Sequence, residues 1–212
     1  MLNSYAFENH ATPARREDRE PRKADRRIAY TKTALRGALV ELMRDQHISR
    51  ITVKSICLLA DVNRSTFYLH YRDQYDLLHQ VEQEVLETLE TRLTHQQGPE
   101  ERAPISLDAM TQILEYAREN SDLACVLLGE TCDFAFRQDI MNLAQVVTPW
   151  MDPSHSERVK EYLLAYSING CIAVAEKWLK DGMVEQPEEI AELILQILYT
   201  GAIGFAGEGG GA

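Results

Sequence analysis

The twenty residues Thr52 to Tyr71, reading TVKSICLLADVNRSTFYLHY, constrain the fold more than any other stretch, because their spacing is that of two short helices joined by a sharp turn. Thr52 has the side chain of an N-cap. Behind it Val53, Ile56, Cys57 and Ala60 recur at helical spacing, with the small Ala60 where a second helix must approach closely. Asp61 falls where the chain has to turn. Glycine is the usual residue for a left-handed backbone, but aspartate tolerates it because its short side chain bonds the local backbone. Asn63 then caps a second helix in which Phe67 and Tyr71, one turn apart, point inward with Val62, leaving Arg64, Ser65, Tyr68 and His70 outward. Guanidinium, hydroxyl and phenol groups opposite an anchored apolar face are what a short helix needs to reach base edges and phosphates in DNA.

Charge points the same way once its distribution is considered. The chain is acidic overall, with a formal charge of −11, which argues against a nucleic-acid partner. Residues 1–76, however, hold 14 Lys and Arg against 10 Asp and Glu, a net of +4, which leaves −15 on residues 77–212. A basic head on an acidic body turns the head toward phosphate and the body away from it.

The 212 residues, 45% hydrophobic, suffice for one small head and one larger body, each with a core. The body reads as helix throughout, so the fold class is all-α: segments at about 74–95, 106–120, 122–129, 133–151, 156–181 and 187–205, broken at Gly98-Pro99 and Asp152-Pro153. No period-2 pattern of useful length and no repeat interrupts them. The expected organisation is a mobile tail over 1–24, a helix-turn-helix domain over 25–75, a helical domain over 76–206 and a disordered glycine-rich end over 207–212. No apolar run reaches the roughly 18 residues of a membrane span, and the polar start is no secretory signal, so a cytoplasmic location is expected. The basic residues Arg22, Lys23, Arg26 and Arg27 have two readings: a charged solvated tail, or an arm reaching a minor groove.

At these residues the chain resembles the TetR/AcrR family of one-component transcriptional regulators, whose first helix braces the motif and whose fourth links it to a helical ligand-binding and dimerisation domain. Arg26 to Gln46 suits the bracing helix, with Ile28, Leu35, Ala38, Leu39, Leu42 and Met43 on one face, and Ile48 and Ile51 close the loop into the motif. Asp73 to Leu78 resembles the start of the fourth helix. Carried over by position, the resemblance implies DNA contacts at Thr52, Lys54, Arg64, Ser65, Thr66, Tyr68, His70 and Tyr71. Two positions depart from the family pattern: the turn glycine is Asp61, and a common lysine at the start of the fourth helix is Gln74. Farther on, YLLAYSINGCIAVAEKWLKDGMVEQPEEIAELILQIL is similar to the C-terminal domain of a Firmicutes-type subgroup that includes activators of dihydroxyacetone utilisation.

The last two helices are the expected homodimer interface, with Gly170 and Ala173 on the first and Ile190, Leu193, Ile194 and Ile197 on the second. Both are more apolar than one buried face requires, and a twofold four-helix bundle is the usual solution; the alternative is that both lie inside the monomer core. Two reading heads then imply an approximate inverted repeat of double-stranded DNA as operator, with half-sites about 34 Å apart or a multiple of that. For a small-molecule effector the large residues Met110, Tyr116, Phe134, Met141, Trp150 and Tyr166, with Phe136 and Trp178, are the lining candidates, each also a candidate for plain core. No charged group stands out as an anchor; Glu130, Arg137 and Glu176 are the candidates, and solvated surface positions are the favoured alternative for all three.

Other chemistry finds little footing. Cys57, Cys125, Cys132 and Cys171 sit in apolar helical contexts and read as reduced packing residues, with a Cys125–Cys132 thiol sensor as the alternative. The six histidines have no metal-ligand spacing, and no P-loop, dinucleotide fingerprint or nucleophile motif is present, so neither metal, cofactor nor enzyme activity is expected. The expected function is a dimeric regulator, a repressor released by an effector. The competing expectation is an activator or co-regulator of the same fold acting mainly through a protein partner, for which Asp61 and Gln74 are the supporting features.

Overall fold

The computed structural model of the chain describes residues 23–94, 105–129, 134–144 and 155–200. Those residues form nine α-helices and one 3-10 turn, with no strand among them. The head comprises α1 (Lys23–Asp45), the 3-10 turn Ile48–Arg50, α2 (Val53–Leu59), α3 (Arg64–Phe67) and the start of α4 (Gln74–Thr94). The body adds α5 (Leu107–Glu119), α6 (Ser121–Leu128), α7 (Phe134–Ala144), α8 (Glu157–Lys180) and α9 (Pro187–Thr200). The Gly98-Pro99 and Asp152-Pro153 breaks, the end of the helix expected to reach Met151, and both tails apart from Lys23 and Ala24 lie outside the described residues.

Local chemistry sets the helix ends. The Thr52 hydroxyl accepts the Ser55 N–H at 3.1 Å while the Ser55 hydroxyl accepts the Thr52 N–H at 3.1 Å, a reciprocal box that fixes the first turn of α2. At the other end Asp61 adopts φ 52°, the left-handed conformation expected of it. The Val62 N–H reaches the Cys57 carbonyl at 3.0 Å and the Asp61 N–H points at the Leu58 carbonyl at 3.5 Å, the Schellman pattern that satisfies the last carbonyls of a helix. Asp61→Gly therefore removes a Cβ from a left-handed site. Thermal unfolding should show a gain of up to about 1 kcal/mol, and a loss would mean that the carboxylate itself holds the turn.

Packing then joins head to body. Leu35, Leu39, Ile51, Ile56, Phe67 and Leu77 are fully buried in one cluster, which runs on through Val81 and Val85 to Leu123, Val126, Leu127 and Phe136. The head core thus continues without a break along α4 to α6 and α7. Arg44 of α1 pairs with Asp122 of α6, and Arg36 of α1 with Glu84 of α4 at 3.3 Å. A second cluster places Met110 and Leu114 of α5 against Trp178 and Leu179 of α8 and Ile190, Ala191, Ile194 and Leu195 of α9. Two expectations for α1 change. Ile28 is exposed rather than on the buried face, because it lies a helical turn and more before the first fully buried position, Leu35. Arg26 and Arg27 lie on the first turns of α1, which starts at Lys23, not on an extended arm.

Candidate nucleic-acid interface

The candidate reading face is built on α3. Asn63 Oδ1 accepts both the Ser65 N–H and the Ser65 hydroxyl at 3.0 Å, so the first turn is capped and the Ser65 hydroxyl keeps only its acceptor side for another partner. Phe67 anchors the opposite face, and its ring meets Tyr71 at 5.5 Å and the edge of Tyr68 at 5.5 Å with the planes 84° apart. The last turn tightens toward 3-10 geometry, with the Leu69 N–H on the Thr66 carbonyl at 3.2 Å and the His70 N–H on the Phe67 carbonyl at 2.9 Å.

Seven of the eight contact positions implied by the sequence reach solvent. Thr52, Lys54, Arg64 and Ser65 are exposed, Tyr68 is 58% exposed, and Thr66 and His70 are half-buried. Lys54 and Arg64 form no ion pair among the described residues, so both cations stand free on the surface. Tyr71 is the exception: only 6% of it is exposed, because it follows Phe67 by one turn and packs into the head core, where burial pushes its phenol above the usual range. One outward residue in the turn after α3 was not among the expected contacts. Leu69 is 79% exposed, and its two-residue offset from Phe67 was the available signal.

Behind α3 the chain enters α4 through a second cap. Asp73 Oδ1 accepts the N–H groups of Tyr75 and Asp76 at 2.9 Å, and Asp76 accepts the Arg72 N–H at 2.8 Å. The backbone bond from Arg72 lowers the Asp76 carboxyl below its ordinary range. Its contribution to holding this corner is present above the ordinary carboxylate range and is lost as pH falls through the lowered value. Gln74 is half-buried as the first residue of α4.

The body holds a cavity of about 210 Å³ between α4, α5, α6, α7, α8 and α9. Its wall is almost wholly aliphatic or aromatic, and Tyr116, Asn120, Ser167 and Cys171 are the polar side chains that line it. Of the expected lining residues Met110, Tyr116 and Phe136 are there. Met141 and Trp178 do not line it, and Tyr166 points away into solvent at 72% exposure. Phe134 is the first residue of α7, and Trp150 lies outside the described residues. The charged anchors are used otherwise: Arg137 donates to the Leu128 carbonyl at 3.4 Å and Glu176 accepts from Lys180 at 2.7 Å, while Glu130 lies outside the described residues. Cys57, Cys125 and Cys171 are free thiols, each raised by burial, and Cys132 lies outside the described residues. No group of residues suited to a metal ion occurs among the described residues, nor any helix long and apolar enough to cross a membrane.

The expected interface residues divide. Gly170 and Ala173 are exposed and Leu193 and Ile197 are partly exposed, but Ile190 and Ile194 are buried inside the subunit, Ile194 to 3%. The reason is that α9 turns its Ile190–Ile194 stripe onto Met110 and Leu114 of α5. The apolar surface left open is instead a stripe along α8: Val159, Tyr162, Leu163 and Tyr166, continuing at helical spacing into Gly170 and Ala173.

Residues 106–200 match the family described as the transcriptional regulator C-terminal region, TetR_C_8. A curated relative, the uncharacterized HTH-type transcriptional regulator YxbF of Bacillus subtilis (strain 168), is 21% identical over 169 residues, covering 77% of this chain. The chain spans 43% of that relative's length. Among solved structures, a TetR transcriptional regulator from Streptococcus agalactiae 2603V is 25% identical with a TM-score of 0.56, over 82% of this chain and 97% of that one. The dihydroxyacetone kinase operon activator DhaS is 18% identical with a TM-score of 0.51, over 80% and 94%. NalD, the secondary repressor of the MexAB-OprM multidrug efflux pump in Pseudomonas aeruginosa, is 21% identical with a TM-score of 0.58, over 82% and 97%.

Proposed function

From the premise that the chain is a TetR/AcrR-type transcriptional regulator, we propose that it reads double-stranded DNA as a homodimer and is released from it by a small apolar effector. The observation that carries the DNA reading is the outward face of α3, where Arg64, Ser65 and Tyr68 are presented on a helix capped by Asn63 and anchored by Phe67. An exposed guanidinium with no ion-pair partner among the described residues is suited to the O6 and N7 acceptors of a guanine in the major groove. The basic head supplies the phosphate attraction, and Lys54, exposed near the start of α2, is suited to the DNA backbone.

One α3 covers only a few base pairs, so a pair of heads on an inverted repeat is needed for affinity. The open stripe on α8 is the surface suited to a second copy: tyrosines and aliphatics with the small Gly170 and Ala173 let two helices approach closely. An apolar cavity of about 150 Å³ accepts benzene, so 210 Å³ suits a molecule somewhat larger. Among the described residues the lining offers hydrogen bonds but no charged side chain, which favours a neutral ligand. Val85, Leu89 and Leu93 of α4 line the cavity while Leu77 and Val81 of the same helix sit in the head core. A ligand that spreads the body helices thus moves the helix that seats the head, and it shifts DNA affinity only as far as its own affinity differs between the two arrangements.

The activator reading is the second one, since solved neighbours of comparable similarity include a named activator and a named repressor. Selection of bound duplexes from a random pool tests the proposal: enrichment of an inverted repeat supports it, and failure to enrich any sequence sinks it. On the enriched operator Arg64→Ala should lose about 1 to 3 kcal/mol of discrimination at one base pair per half-site. An unchanged preference across operator variants would remove Arg64 from base reading.

A further inference from the structure

We infer that Asn120 is the polar anchor of the effector site, and that the effector is a neutral molecule carrying a hydroxyl group on an apolar body. The inference rests on the reading of the body cavity as the place where an effector binds. Among the described residues, the polar side chains that line it are Tyr116, Asn120, Ser167 and Cys171, and their local geometry separates them. A serine within a helix, as Ser167 is in α8, can turn its hydroxyl back to a carbonyl of its own helix. Tyr116 is engaged through its ring, which lies under the Arg92 guanidinium at 5.3 Å. The Cys171 thiol is a weak hydrogen-bonding group that burial keeps protonated.

Asn120 differs because its amide is held. The Nδ2 donates to the Tyr116 carbonyl at 2.9 Å, and a carbonyl accepts only from the nitrogen end, so the orientation of the amide is set. This leaves Oδ1 with no hydrogen bond among the described residues, in a half-buried side chain at the cavity wall. An asparagine that precedes a helix ordinarily turns its oxygen onto the first N–H groups; Asn120 precedes α6 and makes no such bond. A fixed acceptor in an apolar wall stabilises a ligand that brings a hydroxyl proton to it. It disfavours a hydrocarbon, which covers the oxygen and returns no bond. Asn120 also forms the corner between α5 and α6, with φ −117° and ψ 39°. Two residues on, Asp122 pairs with Arg44 of α1, so a ligand bonded at this corner holds the helix that meets the head.

The test is thermal unfolding of the full chain in rising concentrations of para-ethylphenol and of ethylbenzene, two neutral probes that differ by one hydroxyl. Each Kd follows from the gain in stability with probe concentration. The unaltered chain should bind the phenol more tightly, although its hydroxyl makes it the better solute in water. In Asn120→Ala the preference for phenol over hydrocarbon should fall about tenfold, and Ser167→Ala should lower it less. The preference is a ratio within each chain, so a uniform change in stability cancels. Asn120→Gly, a residue tolerated at helix ends, replaces the alanine variant if that one does not fold. Equal binding of the two probes by the unaltered chain, or a preference for ethylbenzene, overturns the inference. So does a phenol preference that survives removal of the Asn120 side chain or that depends on Ser167 instead. Stabilisation by neither probe overturns the cavity as a site for neutral effectors, and the inference with it, while the DNA reading stands or falls on its own selection experiment.

Discussion

Tyr166→Asp should yield a folded monomer that no longer holds the full operator. Tyr166 is 72% exposed in the subunit, so a carboxylate there costs the isolated subunit almost nothing. In a dimer closed through α8 the same carboxylate would be stripped of water with no partner, at a cost of several kcal/mol. Losing the second head then removes the avidity of paired half-sites, a drop of about 10² to 10⁴ in operator affinity. Sedimentation velocity, circular dichroism and DNA titration together read the outcome. An intact dimer in Tyr166→Asp would refute the α8 interface. Ile194→Asp is the instructive contrast: at 3% exposure against Met110 and Leu114, its carboxylate is expected to unfold the body rather than release a clean monomer.

The second large effect is expected at Phe67. Its side chain is fully buried, and it carries the edge of Tyr68 on one side and Tyr71 on the other. Phe67→Ala should cost about 3 to 5 kcal/mol and lower the melting temperature by roughly 10 °C in a chain of this size. DNA binding should fall further than stability, because this ring is the buried anchor of the helix that carries Arg64 and Ser65. Since the head core runs on through α4 to α6 and α7, the transition should remain a single cooperative one. An unchanged melting temperature would mean that the head is held by its caps alone.

The head was legible in the sequence because the interactions that decide it are local. Thr52 and Ser55 are three residues apart, Asn63 and Ser65 two, and Asp61 takes its left-handed turn within one Schellman motif, so each can be read from a short window. The described helices of the body have ends set as locally, by Ser106 and Ser156 as caps and Pro187 as a first-turn residue, which is why the expected segments fall close to them. What the window hides is which apolar stripe of a doubly apolar helix turns inward. Ile190 and Ile194 face α5 across some eighty residues of sequence, and nothing near them records that choice. The open stripe on α8 left a fainter trace, two tyrosines four residues apart. The cavity is less legible still, because a void belongs to the fit of six helices and not to any one of them.

The most direct test of a dimeric DNA reader is a fluorescence-anisotropy titration of the selected inverted repeat, its single half-site and an unrelated duplex, each at about 50 mM and 200 mM salt. A paired reader should bind the full repeat with a Kd in the range of about 10⁻⁸ to 10⁻¹¹ M and the unrelated duplex at least 10³-fold more weakly, with a steep loss with salt. The single half-site should fall well below the repeat. Equal affinity for all three duplexes, or no measurable binding at the lower salt, would contradict a dimeric reader.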